Sequence, residues 1–544
     1  MHCQHRLSRR RFLTTLVATP LVAALAPRVG QPAGTARALT LPGYRIEADV
    51  DLDAGTVAAS QIVTLRNPVG VPLDSVAFRV VPASVGTFML HGATVDGTAA
   101  GGRLDGSILE LPLAAPLEPG SIAEIALRYS MQLPRDPNRL VASGDTVTLG
   151  SWFPILSVHR GDWDRRQFVD TGDANFSVVA DYDVAITTSR SAEVAAPGQL
   201  VERSGTRWRF TGSNLRDFAL AISPTYLPYE SRAGEATVRA YFASEATSRL
   251  IADRAATFLQ WLSDRLGPYA YPTLTIAGAG LPASFGGLEY PAFIILSQRS
   301  AVPEPFIGSG LDALLLHEVV HQWFYSIVGN DQIADPWLDE ALTTYVTYLY
   351  YAEVEPSLAP AVYQRTIAGG GSAPVDSAVT EFASDPPYFE VVYRRGARFL
   401  DALHGHLGHA QFIELLRQYV AIHRDRIATP RAFLDLAQSL AGTDLNALIG
   451  QYFRYGAFRY PRVQAWTLET PPSPWSGSAS VFVGAEFPIS RVELWLDQRR
   501  MVGGPENALT LDLSGVEPGE YVLLARVFDH ADVMFERARR VEVR

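Results

Sequence analysis

Between residues 44 and 228 apolar and polar side chains alternate in short runs, at 45–51, 63–66, 76–81, 122–129 and 178–187, separated by Gly, Asp, Asn and Pro. A period of two broken by turn residues at regular spacing predicts half-buried strands, arranged as an antiparallel β-sandwich or saddle-shaped sheet. The period then changes. Residues 243–265, 311–328, 336–351, 393–404, 410–423 and 430–441 carry apolar side chains at helical spacing, and the short apolar runs 273–277 and 292–296 predict buried or edge strands among them. A proline-rich stretch, Thr470-Pro471-Pro472-Ser473-Pro474, predicts a linker, and alternation resumes beyond it at 479–483, 491–496, 508–513 and 521–528. The expected fold is multidomain α+β: an N-terminal β domain over 39–228, a helix-rich domain over 229–465, and a small C-terminal β-sandwich over 475–544.

The length of 544 residues, 47% hydrophobic and 19% charged, supports several ordinary cores and excludes fibrous or low-complexity classes. All 46 basic residues are arginine, and with 57 acids the net charge is −11, which argues against nucleic acid as a partner. The first 38 residues differ from the rest. Arg6, Arg9, Arg10, Arg11, Arg28 and Arg37 are their only charges, and Ser8-Arg9-Arg10-Arg11-Phe12-Leu13 precedes an apolar stretch at 16–26. This layout resembles a twin-arginine export signal, which implies a bacterial protein delivered to the periplasm or beyond, whose charge without the segment is −17. The apolar stretch is too short for a comfortable membrane span and no later segment is longer, so no transmembrane anchor is expected after signal removal. Cys3, the only cysteine, falls inside the segment, so any metal must be held by histidines and carboxylates.

The chemistry concentrates in Leu316-His317-Glu318-Val319-Val320-His321-Gln322-Trp323. Two histidines four apart lie one turn up the same helical face, so both imidazoles can reach one ion. Ser309 and Asp312 predict a capping box before this helix, and Gly329-Asn330 a stop behind it. Asp335-Pro336 predicts the start of a second helix, with Asp335 as N-cap, and this helix carries Glu340. His317, His321 and Glu340 then form a three-ligand Zn²⁺ set, one ion per chain, whose fourth position is left to water as in catalytic sites.

These residues and their surroundings resemble the gluzincin aminopeptidases of the aminopeptidase N family. The resemblance rests on His317-Glu318-Val319-Val320-His321 with Glu340 eighteen residues on, Gln322-Trp323-Phe324, Gly329-Asn330-Asp331, Trp337-Leu338-Asp339-Glu340-Ala341 with Tyr345, and Tyr393-Arg394-Arg395-Gly396-Ala397. Gly286-Gly287-Leu288-Glu289-Tyr290 is similar to the family's Gly-Ala-Met-Glu-Asn segment, with Gly287, Leu288 and Tyr290 departing from it. The resemblance implies a thermolysin-like zinc catalytic domain, exported in short form, that hydrolyses N-terminal residues from peptides. Glu318 takes a proton from water and passes it to the leaving amine. By the same resemblance Tyr393 stabilises the oxyanion, while Glu289, with Gly286 and Gly287, binds the substrate and meets its α-amino group. A peptide-binding scaffold without catalysis and an endopeptidase without amine selection are the alternatives. The second amine anchor, the preferred first residue and the oligomeric state are not assigned by the sequence.

Other residues carry competing readings. His404, His406 and His409 are expected as exposed turn histidines, because Gly405 and Gly408 interrupt them. Asp162, Asp164, Asp170 and Asp173 lack an EF-hand spacing and are expected in a solvated loop rather than around Ca²⁺. Trp475 is expected as a core or linker anchor, and residues 366–390 as a long irregular segment ahead of Tyr393.

Overall fold

The computed structural model describes residues 41–69, 71–172, 176–281, 286–297, 302, 305–454, 466–485, 489–497, 499–529 and 534–544. The expected export signal, Cys3 and Asp173 lie outside these residues. Among the described residues no helix is long and apolar enough to cross a membrane.

The alternating pattern of the N-terminal region yields strands. Gly43–Asp51 buries Tyr44, Ile46, Ala48 and Val50, every second residue, and turns the polar positions between them outward. It lies in an eight-stranded sheet ordered Gln199–Ser204, Arg207–Leu215, Ala180–Thr188, Gly43–Asp51, Thr56–Arg66, Ile122–Gln132, Thr87–Val95, Thr98–Ala99. One neighbour differs from the antiparallel expectation. Gly43–Asp51 runs parallel to Ala180–Thr188, with Tyr44 facing Tyr182. Parallel neighbours require a long crossover, and the two other four-stranded sheets of this region are formed largely by the intervening chain. Their shared core includes Tyr44 stacked on Tyr182 at 4.9 Å and Phe153 edge-on to both.

A five-stranded sheet follows, built of β1 (Leu227–Ala233), β2 (Ala236–Phe242), β3 (Thr273–Ala279), β4 (Gly287–Tyr290) and β5 (Phe293–Ser297) in the order β1-β2-β3-β5-β4. β2, β3 and β5 are parallel neighbours, and β4 closes the series antiparallel to β5. Every residue of β3 is buried, as is every residue of β5 but Ser297, which is why these two parallel neighbours read in sequence as apolar runs rather than alternation. Helix α1 (Glu245–Leu266) packs on β1 and β2 through Ile251, Ala255, Phe258, Leu259 and Leu262, spaced by threes and fours. Ser244 caps it by accepting from the Thr247 N–H.

Helices α2 (Gly310–Val320) and α3 (Trp337–Val354) form the expected pair, with ends that differ from expectation. Ser309 Oγ accepts from Asp312 N, but the Asp312 carboxylate does not complete the box. It accepts instead from Arg254, from the Tyr351 hydroxyl and from Gly308 N, so it ties α2 to α1 and α3. α2 ends at Val320, well before Gly329-Asn330, in a turn that buries Gln322, Trp323, Phe324 and Tyr325. Tyr325 has φ of 121°, a left-handed value rare outside glycine, and this reversal stops the helix. The cap of α3 is Pro336 without a side-chain bond. Asp335 is half-buried, and desolvation together with neighbouring Asp331 pushes its carboxyl up to about 7.

Residues 366–390 are more ordered than expected, with short turns at Val379–Glu381 and Asp385–Tyr388. A π-helix, Phe389–Arg395, then leads into α4 (Gly396–Leu407), followed by α5 (His409–His423) and α6 (Pro430–Ala441). His404 and His406 sit on α4, a correction to the turn expectation, and His404 Nδ1 lies 2.7 Å from the Tyr345 hydroxyl. Asp162 and Asp164 pair with arginines, at 2.7 Å from Arg165 and 2.9 Å from Arg166.

The C-terminal β-sandwich packs a sheet of Trp466–Glu469, Ser478–Ala485 and Ala508–Asp512 against one of Arg499–Gly504, Ile489–Leu496, Gly519–Asp529 and Met534–Val543. Its core is its own, around Val481, Leu494, Leu511, Val527 and Phe535, with Trp475 buried as an anchor. The strand Trp466–Glu469 precedes the proline-rich stretch, so residues ahead of the expected linker join the sandwich.

Candidate metal centre

α2 presents His317 and His321 on one face, and α3 brings Glu340 to them from the other arm of the hairpin. His317 Nε2 and His321 Nε2 are 3.1 Å apart, and Glu340 Oε2 lies 3.3 Å from the first and 3.2 Å from the second. A tetrahedral ion with ligands at about 2.0–2.1 Å has ligand–ligand edges of about 3.3 Å, so the three atoms are spaced as one face of such a polyhedron. His321 is oriented for this. Its Nδ1 lies 3.0 Å from Phe324 O and 3.2 Å from Thr343 Oγ1, and donating to the carbonyl leaves the Nε2 lone pair facing the centre.

The electrostatics ask for a cation. Burial works against a charged His321, yet the carboxylates of Glu340, Glu289 and Glu318 outweigh it and hold its protonated form well above the usual imidazole range. Burial dominates at His317, which is pulled down despite its contact with Glu340. Burial also opposes the Glu340 carboxylate, but the two imidazoles prevail and bring it to about 2. A field that retains a proton on an interior imidazole is the field that favours a bound divalent ion, and the donor set suits zinc.

Glu318 projects from α2 between the histidines and is buried. Its carboxyl packs on the main chain of β4: a Cβ at Gly287 would lie 2.5 Å from Glu318 Cδ, so any other residue there would displace the Glu318 carboxyl from this position. Gly286 makes the corresponding approach to Leu314 of the same helix. Glu289 stands two residues along β4, buried at the end of the sheet, and offers a carboxylate oxygen within 4.8 Å of His321 and Asp339. Burial, reinforced by Glu340, pushes its carboxyl up. Tyr393 is carried by the π-helix, and its ring lies 5.7 Å from that of His317, nearly parallel at 15°, with Phe389 at 4.8 Å on another side. The structure thus brings His317, His321, Glu340 and Glu289 together, sets Tyr393 against His317, and lays Gly286 and Gly287 along the helix that carries Glu318.

Three residues of this region carried no role in the sequence reading. Thr343, one turn beyond Glu340, supports His321; Asp339 accepts from the Glu340 N–H at 2.9 Å; and Gln332 bonds both Glu289 and Asp339. Spacing from Glu340 places Asp339 and Thr343 on α3, but Gln332 sits in an aperiodic connection that gives no signal.

Residues 252–452 match the Peptidase family M1 domain. Relatives include the mouse thyrotropin-releasing hormone-degrading ectoenzyme, 25% identical over 173 residues, or 29% of this chain and 16% of that protein. Human endoplasmic reticulum aminopeptidase 1 is 24% identical over 209 residues, covering 35% and 22%, and aminopeptidase N of Lactococcus lactis is 25% identical over 205 residues, covering 35% and 23%. The matched segment spans only 16% to 23% of the length of these three proteins. Among solved structures, the M1 zinc metallopeptidase from Deinococcus radiodurans has a TM-score of 0.58 at 21% identity, covering 78% of this chain and 96% of that one. A mutant of that protein, bound to a Tyr-Ser-Ala substrate, gives 0.57 at 21% identity, covering 76% and 93%. At that identity the likeness is one of fold.

Proposed function

We propose that this chain, which carries a peptidase family M1 domain and belongs with the aminopeptidase N family, is a zinc-dependent aminopeptidase that removes N-terminal residues from peptides. The observation that carries the reading is the convergence of His317, His321 and Glu340 at 3.1–3.3 Å, with Glu318 from the same helix and Glu289 from the edge strand beside them. His317, His321 and Glu340 hold the metal. When bound, zinc supplies a Lewis acid that polarises the scissile carbonyl and acidifies water.

The rest is the work of side chains. Glu318 accepts a proton from the attacking water and delivers it to the leaving amine, and its packing on Gly287 limits how its carboxylate swings. Tyr393 donates a hydrogen bond from its phenolic O–H to the oxyanion, held in place by stacking on His317 and by Phe389. Glu289 pairs with the substrate's ammonium, while β4 offers main-chain groups to an extended peptide. A peptide interior brings an uncharged amide to the same carboxylate and leaves a buried acid without its partner, which disfavours it.

The test uses zinc-loaded protein and a panel of aminoacyl amides beside their N-acetylated forms. Cleavage of the free amines, refusal of the acetylated ones and loss of activity with a chelator are expected. Glu318→Gln is expected to lower kcat by roughly 10²–10⁴-fold while zinc stays bound. Activity indifferent to both chelator and Glu318→Gln would remove the reading, and equal cleavage of acetylated peptides would leave an endopeptidase.

A further inference from the structure

Gln332 lies in the connection between α2 and α3, fully enclosed, and its amide nitrogen is 3.3 Å from Glu289 Oε1 and 2.5 Å from Asp339 Oδ2. Glu289 comes from the edge strand β4 and Asp339 from the first turn of α3. Each offers an oxygen within 4.8 Å of the other and of a His321 nitrogen. Asp339 is fixed in turn, since its second oxygen accepts from the main-chain N–H of Glu340. One side chain therefore links the amine-facing carboxylate to the segment that carries the metal ligand.

The chemistry of an amide suits this place better than the alternatives. A primary amide carries two N–H donors on one nitrogen and no net charge, so it can serve one oxygen of each acid without neutralising either. Arginine or lysine there would set a permanent cation against Glu289 and compete with the substrate's ammonium. An apolar side chain would remove the donor from two buried acids that repel one another, and a third acid would add to the repulsion. A neutral double donor holds Glu289 still and leaves its charge for the substrate.

We propose that Gln332 is a positioning residue for amine recognition, tying Glu289 to Asp339 so that the Glu289 carboxylate faces the incoming α-ammonium at a fixed distance from the metal ligands. This rests on the assignment of Glu289 made above. The consequence is selectivity. Without the tie, binding of the rest of the substrate survives and the preference for a free amino terminus falls.

The test measures that preference directly on full-length, zinc-loaded protein, as the ratio of inhibition constants for a desamino acid hydroxamate and the matching amino acid hydroxamate. Gln332→Met keeps the length and removes both donors. Its ratio is expected to fall about tenfold, the loss of one charge-assisted hydrogen bond, with the desamino constant and bound zinc unchanged. Gln332→Lys is expected to lower the ratio further, because its own ammonium occupies Glu289, and it carries the test alone if the methionine variant does not fold. An unchanged ratio, or equal weakening of both compounds, overturns the proposal. Glu289→Gln separates the two layers. A wild-type protein with no preference for the amine compound defeats the assignment of Glu289, whereas a preference abolished by Glu289→Gln and intact in Gln332→Met defeats only the role of Gln332.

Discussion

Arg216 sets a fully buried guanidinium among main-chain carbonyls: Tyr325 O at 2.8 Å, Ser326 O at 3.2 Å, Ser177 O at 3.0 Å, Ile327 O at 3.5 Å and Arg426 O at 2.7 Å. Gly329 makes room for it, since a Cβ there would lie 2.4 Å from the guanidinium carbon. The carbonyls of residues 325–327 belong to the turn that follows His321, the same turn in which Tyr325 holds its positive φ and Phe324 O orients the imidazole. A bare charge in the interior is costly, but a guanidinium has five donors and here meets five acceptors from three separate segments. Replacing it with methionine takes the guanidinium from all five carbonyls, of which Ile327 O keeps a bond from Asp425 N. Arg216→Met is expected to lose at least ~3 kcal/mol of stability, read as a lower urea midpoint at unchanged slope. It is also expected to release zinc to a competing chelator more readily, because the strained turn is no longer clamped. A variant with wild-type midpoint and wild-type zinc retention would show that the turn holds itself.

At the scale of elements, burial can reverse a familiar rule. A histidine at a helix C-terminus is normally favoured in its charged form by the helix dipole. His423 ends α5 but is enclosed against Tyr419, and burial, with Arg540 adding repulsion, brings its imidazole down to about 4. Its folded value lies below the unfolded 6.5, so the unfolded chain binds the extra proton between those limits, and stability present above pH 6.5 is lost as pH falls toward 4. The loss between pH 8 and pH 5 is expected to be about 2 kcal/mol. His423→Leu removes this contribution, and urea midpoints of variant and wild type should therefore converge, or cross, on acidification. The elements that the sequence makes legible are those with a period. α1, α5 and α6 lie within two residues of their apolar patterns, the pairing of His317 with His321 follows from helical spacing, and Glu340 from its place on the second helix together with the family resemblance. What stays hidden is set by contacts distant in the chain. The turn beyond the early end of α2 is met by Arg216, contributed from far upstream. The π-helix that carries Tyr393 has no distinct periodic signature. The parallel pairing of Gly43–Asp51 with Ala180–Thr188 looks the same in sequence as an antiparallel one, and Gln332 has nothing around it to mark two acids as its partners.

Across the whole molecule, the C-terminal sandwich reaches the metal centre through one short stretch of chain. Arg426–Ile427 pairs in parallel with Val328–Gly329, and Asp425 N and Ala428 N donate to Ile327 O and Gly329 O, so residues 425–428 lie alongside the turn that positions His321. The sandwich grips the same stretch from its other side. Arg540 donates to Ala421 O and Arg424 O, Asp497 pairs with Arg426 at 2.6 Å, and Thr429 and Asp435 bond Glu536. This seam is polar and partly exposed, and single pairs of that kind contribute about 0–1 kcal/mol, so no one of them keeps the sandwich docked. Its own core around Val481, Leu494 and Leu511 is continuous, which lets it remain folded if the seam opens. The wild-type chain is therefore expected to unfold in a single calorimetric transition in which sandwich and catalytic region melt together. A double Asp497→Ala, Arg540→Ala variant is expected to resolve two, with chelator sensitivity confined to the transition that contains His321. Each single variant should shift the midpoint by only a degree or two. Two transitions already present in the wild type would show that the seam transmits nothing, and one unsplit transition in the double variant would place the coupling in the cation–π contact of Arg431 with Phe535 and the packing of α6 on Met534–Val543.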